Sequence, residues 1–81
     1  MDDATVLNRI NELVDEEHRL RSGVQDGTVT TDEEHARLRT VEEALDQCWD
    51  LLRRRRAARD AGGDPDSAQP QSVDQVERYL Q

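Results

Sequence analysis

Two nearly identical strings hold most of the chemistry open to this sequence: DEEHRLR at residues 15–21 and DEEHARLR at residues 32–39. Each sets three carboxylates beside a histidine, donor types that divalent metals take from helical bundles. If both strings are helical, Glu17 and Glu34 fall near the middle of their apolar stripes and point inward, with His18 and His35 directly after them. The spacing works against ligation. Di-metal bundles place a histidine three residues after a ligating glutamate so that both reach inward, whereas here each histidine follows at once and points about 100° away. The residues three before each histidine are Asp15 and Asp32, shorter than glutamate and off the stripe.

A structural role explains the strings with fewer assumptions. Asp32, Glu33 and Glu34 belong to the first turn of a helix, where carboxylates complement the macrodipole. Glu17 pairs with Arg37 or with its own-helix neighbour Arg21, an interaction that fixes register more than it adds stability. Metal ligation by Glu17, His18, Glu34 and His35 is the weaker reading, and no cofactor is expected.

The run RRRRAAR, residues 53–59, gathers five of the eleven basic residues, all of them arginine. Such a patch suits phosphates or an acidic partner surface. Interleaved aromatics are missing and the chain carries −8 overall, which argues against nucleic acid and against anionic membrane surfaces. Cations at a helix C-terminus also complement its dipole, and Asp60, Asp64 and Asp66 follow as partners. Cys48 lies on an apolar seam without a neighbouring base, so a buried structural thiol is expected rather than a nucleophile. Glycine-rich phosphate loops, zinc spacings and Ser/His/Asp groupings are absent from the sequence, which predicts a protein that is not an enzyme.

The elements that position these residues follow from periodicity. Val6, Leu7, Ile10, Leu13, Val14, Leu20 and Val24 recur at helical spacing, which predicts a helix over about residues 4–25, closed by Gly27. Thr30 with Glu33, and Thr31 with Glu34, form capping-box patterns that open a second helix over about 31–60. Its seam reads Leu38, Val41, Leu45, Cys48 and Leu52, with Trp49 widening one flank. Residues 1–61 thus form an antiparallel hairpin, 62–71 a Gly/Pro-containing linker, and 72–81 a short amphipathic helix. That last helix starts from a Ser72–Gln75 box, presents Val73, Val76, Tyr79 and Leu80, and is too short to stand alone, so it is expected to dock on the Trp49 flank.

Folding the hairpin about Gly27 sets Leu13 level with Val41, Ile10 with Leu45 and Val6 with Cys48. The apolar band of the first helix spans about 140°, too wide for one partner helix, because Leu7 and Val14 lie to one side. Eighty-one residues, one third hydrophobic and with a single cysteine, give a thin core and no intrachain disulfide. The expected architecture is therefore all-α: a hairpin plus a short C-terminal helix, two copies of which close into a four-helix bundle with two-fold symmetry. The residues expected to carry interactions are Leu7, Val14, Trp49, Arg53, Arg54, Arg55, Arg56, Tyr79 and Leu80.

The opening MDDATVLNRI carries acids where a secretory signal is basic, and no apolar run nears the roughly 20 residues of a membrane span, so a cytoplasmic setting is expected. The segments LVDEEH, DEEHARLR, ALDQCWDLLRRRRA and VERYLQ resemble a family of small actinobacterial proteins of unknown function, over nearly the whole chain. That resemblance implies one compact helical unit and an intracellular bacterial setting, and it transfers no catalytic or binding residue. The leading expectation is a non-enzymatic, oligomerising protein–protein interaction module with an unidentified protein partner. A second reading rests on the acids Asp26, Asp32 and Glu33 at the hairpin tip, similar in outline to factors that enter the secondary channel of bacterial RNA polymerase. The third is the carboxylate and histidine metal bundle.

Overall fold

A computed structural model describes residues 2–80; residues 1 and 81, the outermost positions of the predicted hairpin unit and terminal helix, lie outside the described residues. The fold is all-α. Helix α1 spans Asp3–Gln25, α2 spans Thr31–Asp60, a 3-10 turn spans Pro65–Ser67, and α3 spans Val73–Leu80.

Each helix begins where a side chain satisfies free backbone amides. Asp2 accepts from the Thr5 amide at 2.8 Å and opens α1. Thr30 accepts from the Glu33 amide at 3.1 Å and opens α2. Ser72 and Gln75 cap α3 reciprocally, the Gln75 amide donating to Ser72 Oγ at 3.2 Å and the Ser72 amide to Gln75 Oε1 at 3.4 Å. Gly27, at φ 77°, takes the left-handed turn that ends α1, and Gly62, at φ 80°, does the same after α2. The hairpin tip is tight for a further reason: the Gly23 carbonyl accepts from the Thr28 and Val29 amides and from the Thr28 hydroxyl.

The hairpin buries two apolar clusters along its length. Leu13, Leu20, Leu38 and Val41 fill the half nearer the loop, and Val6, Ile10, Leu51 and Leu52 fill the open half. Leu45 and Cys48 pack against both and join them. Leu13 thus meets Val41 in the predicted register, while Val6 packs against the Leu51 and Leu52 layer as well as Cys48.

Helix α2 is the shared support, since α1, the 3-10 turn and α3 each pack on it. The resulting body measures 51 × 26 × 14 Å. Its length is that of one 30-residue helix at about 1.5 Å per residue, and its thickness is that of one helix layer. A single layer leaves a face of each helix uncovered. Leu7 is 43% exposed, Val14 36% and Trp49 42%. Helix α3 and the strap before it dock on the flank of Gln47 and Asp50, where Gln47 Nε2 donates to the Gln71 carbonyl at 2.7 Å and the Tyr79 hydroxyl donates to Asp50, while Trp49 between them keeps part of its surface exposed. Among the described residues, no helix is long and apolar enough to cross a membrane.

Candidate functional site

The doubled acid–histidine strings sit at the loop half of the hairpin. Glu17 and Glu34 are half-buried, as inward-facing positions require, and His18 and His35 are exposed, as positions about 100° further round require. Arg21 Nε lies 4.0 Å from Glu17 Oε1, so Glu17 has its own-helix partner. Among the described residues of a single chain, no three His, Cys, Asp or Glu side chains come together in a group that could hold a metal ion. Asp26, Asp32 and Glu33 are exposed around the tip, Asp32 and Glu33 as first-turn acids of α2.

The arginine run divides by helical phase. Arg53 and Arg56 are exposed, but Arg55 is 5% exposed, which corrects its expected place on an open basic surface. Residue 55 continues the seam of Cys48 and Leu52 in steps of four and three, so its side chain is carried toward α1. There Arg55 Nε donates to Asp3 Oδ1 at 2.7 Å and Nη1 donates to Asp66 Oδ1 at 2.9 Å and to the Pro65 carbonyl at 3.3 Å. Arg59 Nη2 donates to the second Asp3 oxygen at 2.8 Å. The bonds from Arg55 and Arg59 hold the Asp3 carboxyl below the usual carboxylate range, and the same bonds from Asp3 and Asp66 raise Arg55. One guanidinium thus ties the start of α1, the end of α2 and the strap over residues 64–68 together. Arg54 is also engaged within the chain, by Asp50 Oδ2 at 3.1 Å and by the Gln69 carbonyl.

Asp50, which the sequence reading passed over, is the other buried polar residue among the described residues, 4% exposed. It accepts from Arg54 and from the Tyr79 hydroxyl, and the bond to Asp50, with burial second, raises the Tyr79 phenol. Its i, i+4 spacing to Arg54 was visible beforehand; its burial depends on α3, which no local pattern encodes. Cys48 is half-buried, and burial raises its thiol, so it stays protonated and apolar in character.

Among the described residues, the exposed large apolar side chains are Leu7, Val14, Trp49, Tyr79 and Leu80. Three of them share a side of the hairpin. Leu7 follows the buried Val6, Val14 follows the buried Leu13, and Trp49 follows the seam residue Cys48, so each is turned about 100° onward from the α1–α2 contact line. In an antiparallel pair that onward turn leads to the same side from both helices. Tyr79 and Leu80, on the last turn of α3, come alongside: the Tyr79 hydroxyl reaches Asp50, the residue after Trp49.

Comparison with known proteins gives a consistent result. The profile of a family described as "Protein of unknown function (DUF2630)" matches residues 2–81. Uncharacterized proteins of Mycobacterium tuberculosis and Mycobacterium bovis are each 49% identical over 77 residues, covering 95% of this chain and 88% of the relative. No solved structure matches the chain.

Proposed function

The chain belongs to the DUF2630 family of proteins of unknown function, and we propose that it acts as a small, non-enzymatic, oligomerising interaction module of the cytoplasm. Two hairpins meet through the side that bears Leu7, Val14 and Trp49, and together close a four-helix bundle around it. Arg53 and Arg56 on α2, with Tyr79 and Leu80 on α3, are the surface offered to a protein partner. The observation that carries this reading is the one-layer body with three large apolar side chains, each more than a third exposed, on one side of it. A helix layer buries its apolar residues stably only against a second layer.

Sedimentation velocity over a concentration series tests the reading directly. A reversible shift from a 9.3 kDa species to one of twice that mass supports it. A well-folded single chain at roughly 100 μM, well above the micromolar range of weak dimers, excludes it.

A further inference from the structure

Helix α3 is attached to α2 by contacts of opposite sign. Val76 is fully buried against α2, and the Tyr79 hydroxyl and the Gln71 carbonyl are bonded to Asp50 and Gln47. Directly after Val76, Glu77 is carried into the same interface with its Oε1 buried and unpartnered. The surface it meets is mostly acidic: Asp46, Glu43 and Glu42 of α2 line that recess together with Arg39. On α3 itself the neighbouring charges are Asp74 and Arg78, both exposed. A carboxylate oxygen buried beside another carboxylate has no donor to accept from while both are ionised.

We infer that α3 is a proton-controlled latch, in which the Glu77 and Asp46 carboxyls face each other across the α2–α3 interface, so that gaining one proton tightens the docking of α3 and losing it loosens the docking. The step balances simply. A proton from solvent adds to one carboxylate, and the new O–H donates to the other carboxylate, which supplies the buried oxygen with its missing partner. The Asp46 carboxyl set against it, as the partner a proton would join it to, then burial, then the charges of Asp46 and Glu43 all push the Glu77 carboxyl above its ordinary value. The sign follows. A carboxyl raised in the docked state supports docking fully below its value in the free chain, about 4.3, and that support is lost as pH rises through the raised value. Once Glu77 has lost its proton, α3 is held by Val76, Tyr79 and Gln71 against the repulsion of the acidic α2 surface. The latch does not depend on whether two hairpins associate.

Hydrogen exchange of the intact protein, with each rate corrected for its intrinsic pH dependence, reads the latch directly. In the wild type, protection of the Val76–Tyr79 amides is expected to fall several-fold between about pH 5 and pH 7, across the upper part of the carboxylate range. Amides inside the hairpin clusters, such as Leu13 and Leu51, serve as the internal reference for an intact fold. Glu77→Gln keeps the shape, supplies a permanent donor to Asp46, and is expected to abolish the fall and raise protection at pH 7 several-fold. Asp46→Asn removes the opposing charge from the α2 side and is expected to do the same. Equal wild-type protection at both pH values overturns the inference. So does a fall that persists in both variants, or a loss of α3 protection in both at pH 7.

Discussion

Replacing Leu7 with glutamine tests the proposed dimer with little disturbance of the hairpin, because glutamine matches leucine in helix propensity and Leu7 makes only part of its contacts within the chain. Fully burying an aliphatic side chain of this size is worth about 1.5–3 kcal/mol, and Leu7 still exposes 43% of its surface. Covering that remainder yields about 0.6–1.3 kcal/mol per chain, or roughly 1–2.5 kcal/mol for the two copies in a dimer. At 1.4 kcal/mol per factor of ten, Leu7→Gln is expected to weaken the dimer roughly 5- to 60-fold. Val14, 36% exposed, contributes by the same arithmetic about 0.5–1 kcal/mol per chain. With Trp49 added, the three side chains supply about 4–8 kcal/mol against an association cost of about 4–15 kcal/mol, so a dimer in the micromolar range requires the rest of the covered helix faces to contribute as well. The assay is sedimentation velocity from about 1 to 100 μM, a window centred on such affinities, with circular dichroism on the same samples. Unchanged association in the double variant Leu7→Gln, Val14→Gln would refute the reasoning. A large drop in the melting temperature of the monomer would refute it too, since it would mean that both side chains belong to the chain's own core.

Arg55→Met keeps the side-chain stem but removes the bonds to Asp3 and Asp66, and thermal unfolding at pH 7 is expected to move to lower temperature. The same variant tests a pH effect. Asp3 is held below its ordinary value, so the stability it contributes is present above about pH 4 and is lost as pH falls through the lowered value, and Arg55→Met is expected to flatten that acid limb of the melting curve. Gly23→Ala would bring a Cβ to 2.7 Å from Val29 Cγ2, a clash costing about 1–3 kcal/mol that outweighs the gain of about 0.5–1 kcal/mol from removing a helix glycine. Adding Val29→Ala is expected to relieve the clash, so that denaturant unfolding of the pair shows positive coupling, and additive losses would count against the tip packing.

Much of the hairpin was legible because its signals are local. Thr30, Gly27 and Gly62 mark boundaries through side-chain and backbone preferences that act within a few residues, and the three-and-four spacing of Leu38, Val41 and Leu52 names the buried face. Arg55 was missed because the seam was followed only as far as its last apolar member; one more step in the same period reaches it. Asp66 was expected as a partner of the arginine run, but which arginine it meets, 11 residues back, is not set by spacing, and Asp3 lies 52 residues from Arg55. Asp50, Glu77 and the flank that α3 chooses depend on a docking geometry set by the strap between α2 and α3, which carries no periodicity. The acid–histidine strings were readable as faces of a helix, Glu17 and Glu34 inward and His18 and His35 outward, because that distinction needs only the helical angle.

The two ends of the chain are held by different forces, and this decides which end responds to solution conditions. α1 and α2 join through two clusters of buried aliphatic side chains, an attraction that acid and moderate salt scarcely alter. The strap and α3 are held by Ala68 on the open-half cluster, by one buried valine and by a set of polar contacts: Arg55 to Asp66, Arg54 to the Gln69 carbonyl, Gln47 to the Gln71 carbonyl, and Tyr79 to Asp50. Asp66 has a side chain 66% exposed, so salt screens its pair with Arg55, whereas the bond between the buried Arg55 and Asp3 is screened less. Raising the ionic strength should therefore loosen residues 62–80 before it loosens the hairpin, and raising the pH through the Glu77–Asp46 pair should act on the same segment. The apolar side that bears Leu7 and Val14 stays in place through both changes, because the helices that present it are fixed chiefly by hydrophobic burial and the buried Arg55–Asp3 pair that adds to it is little screened.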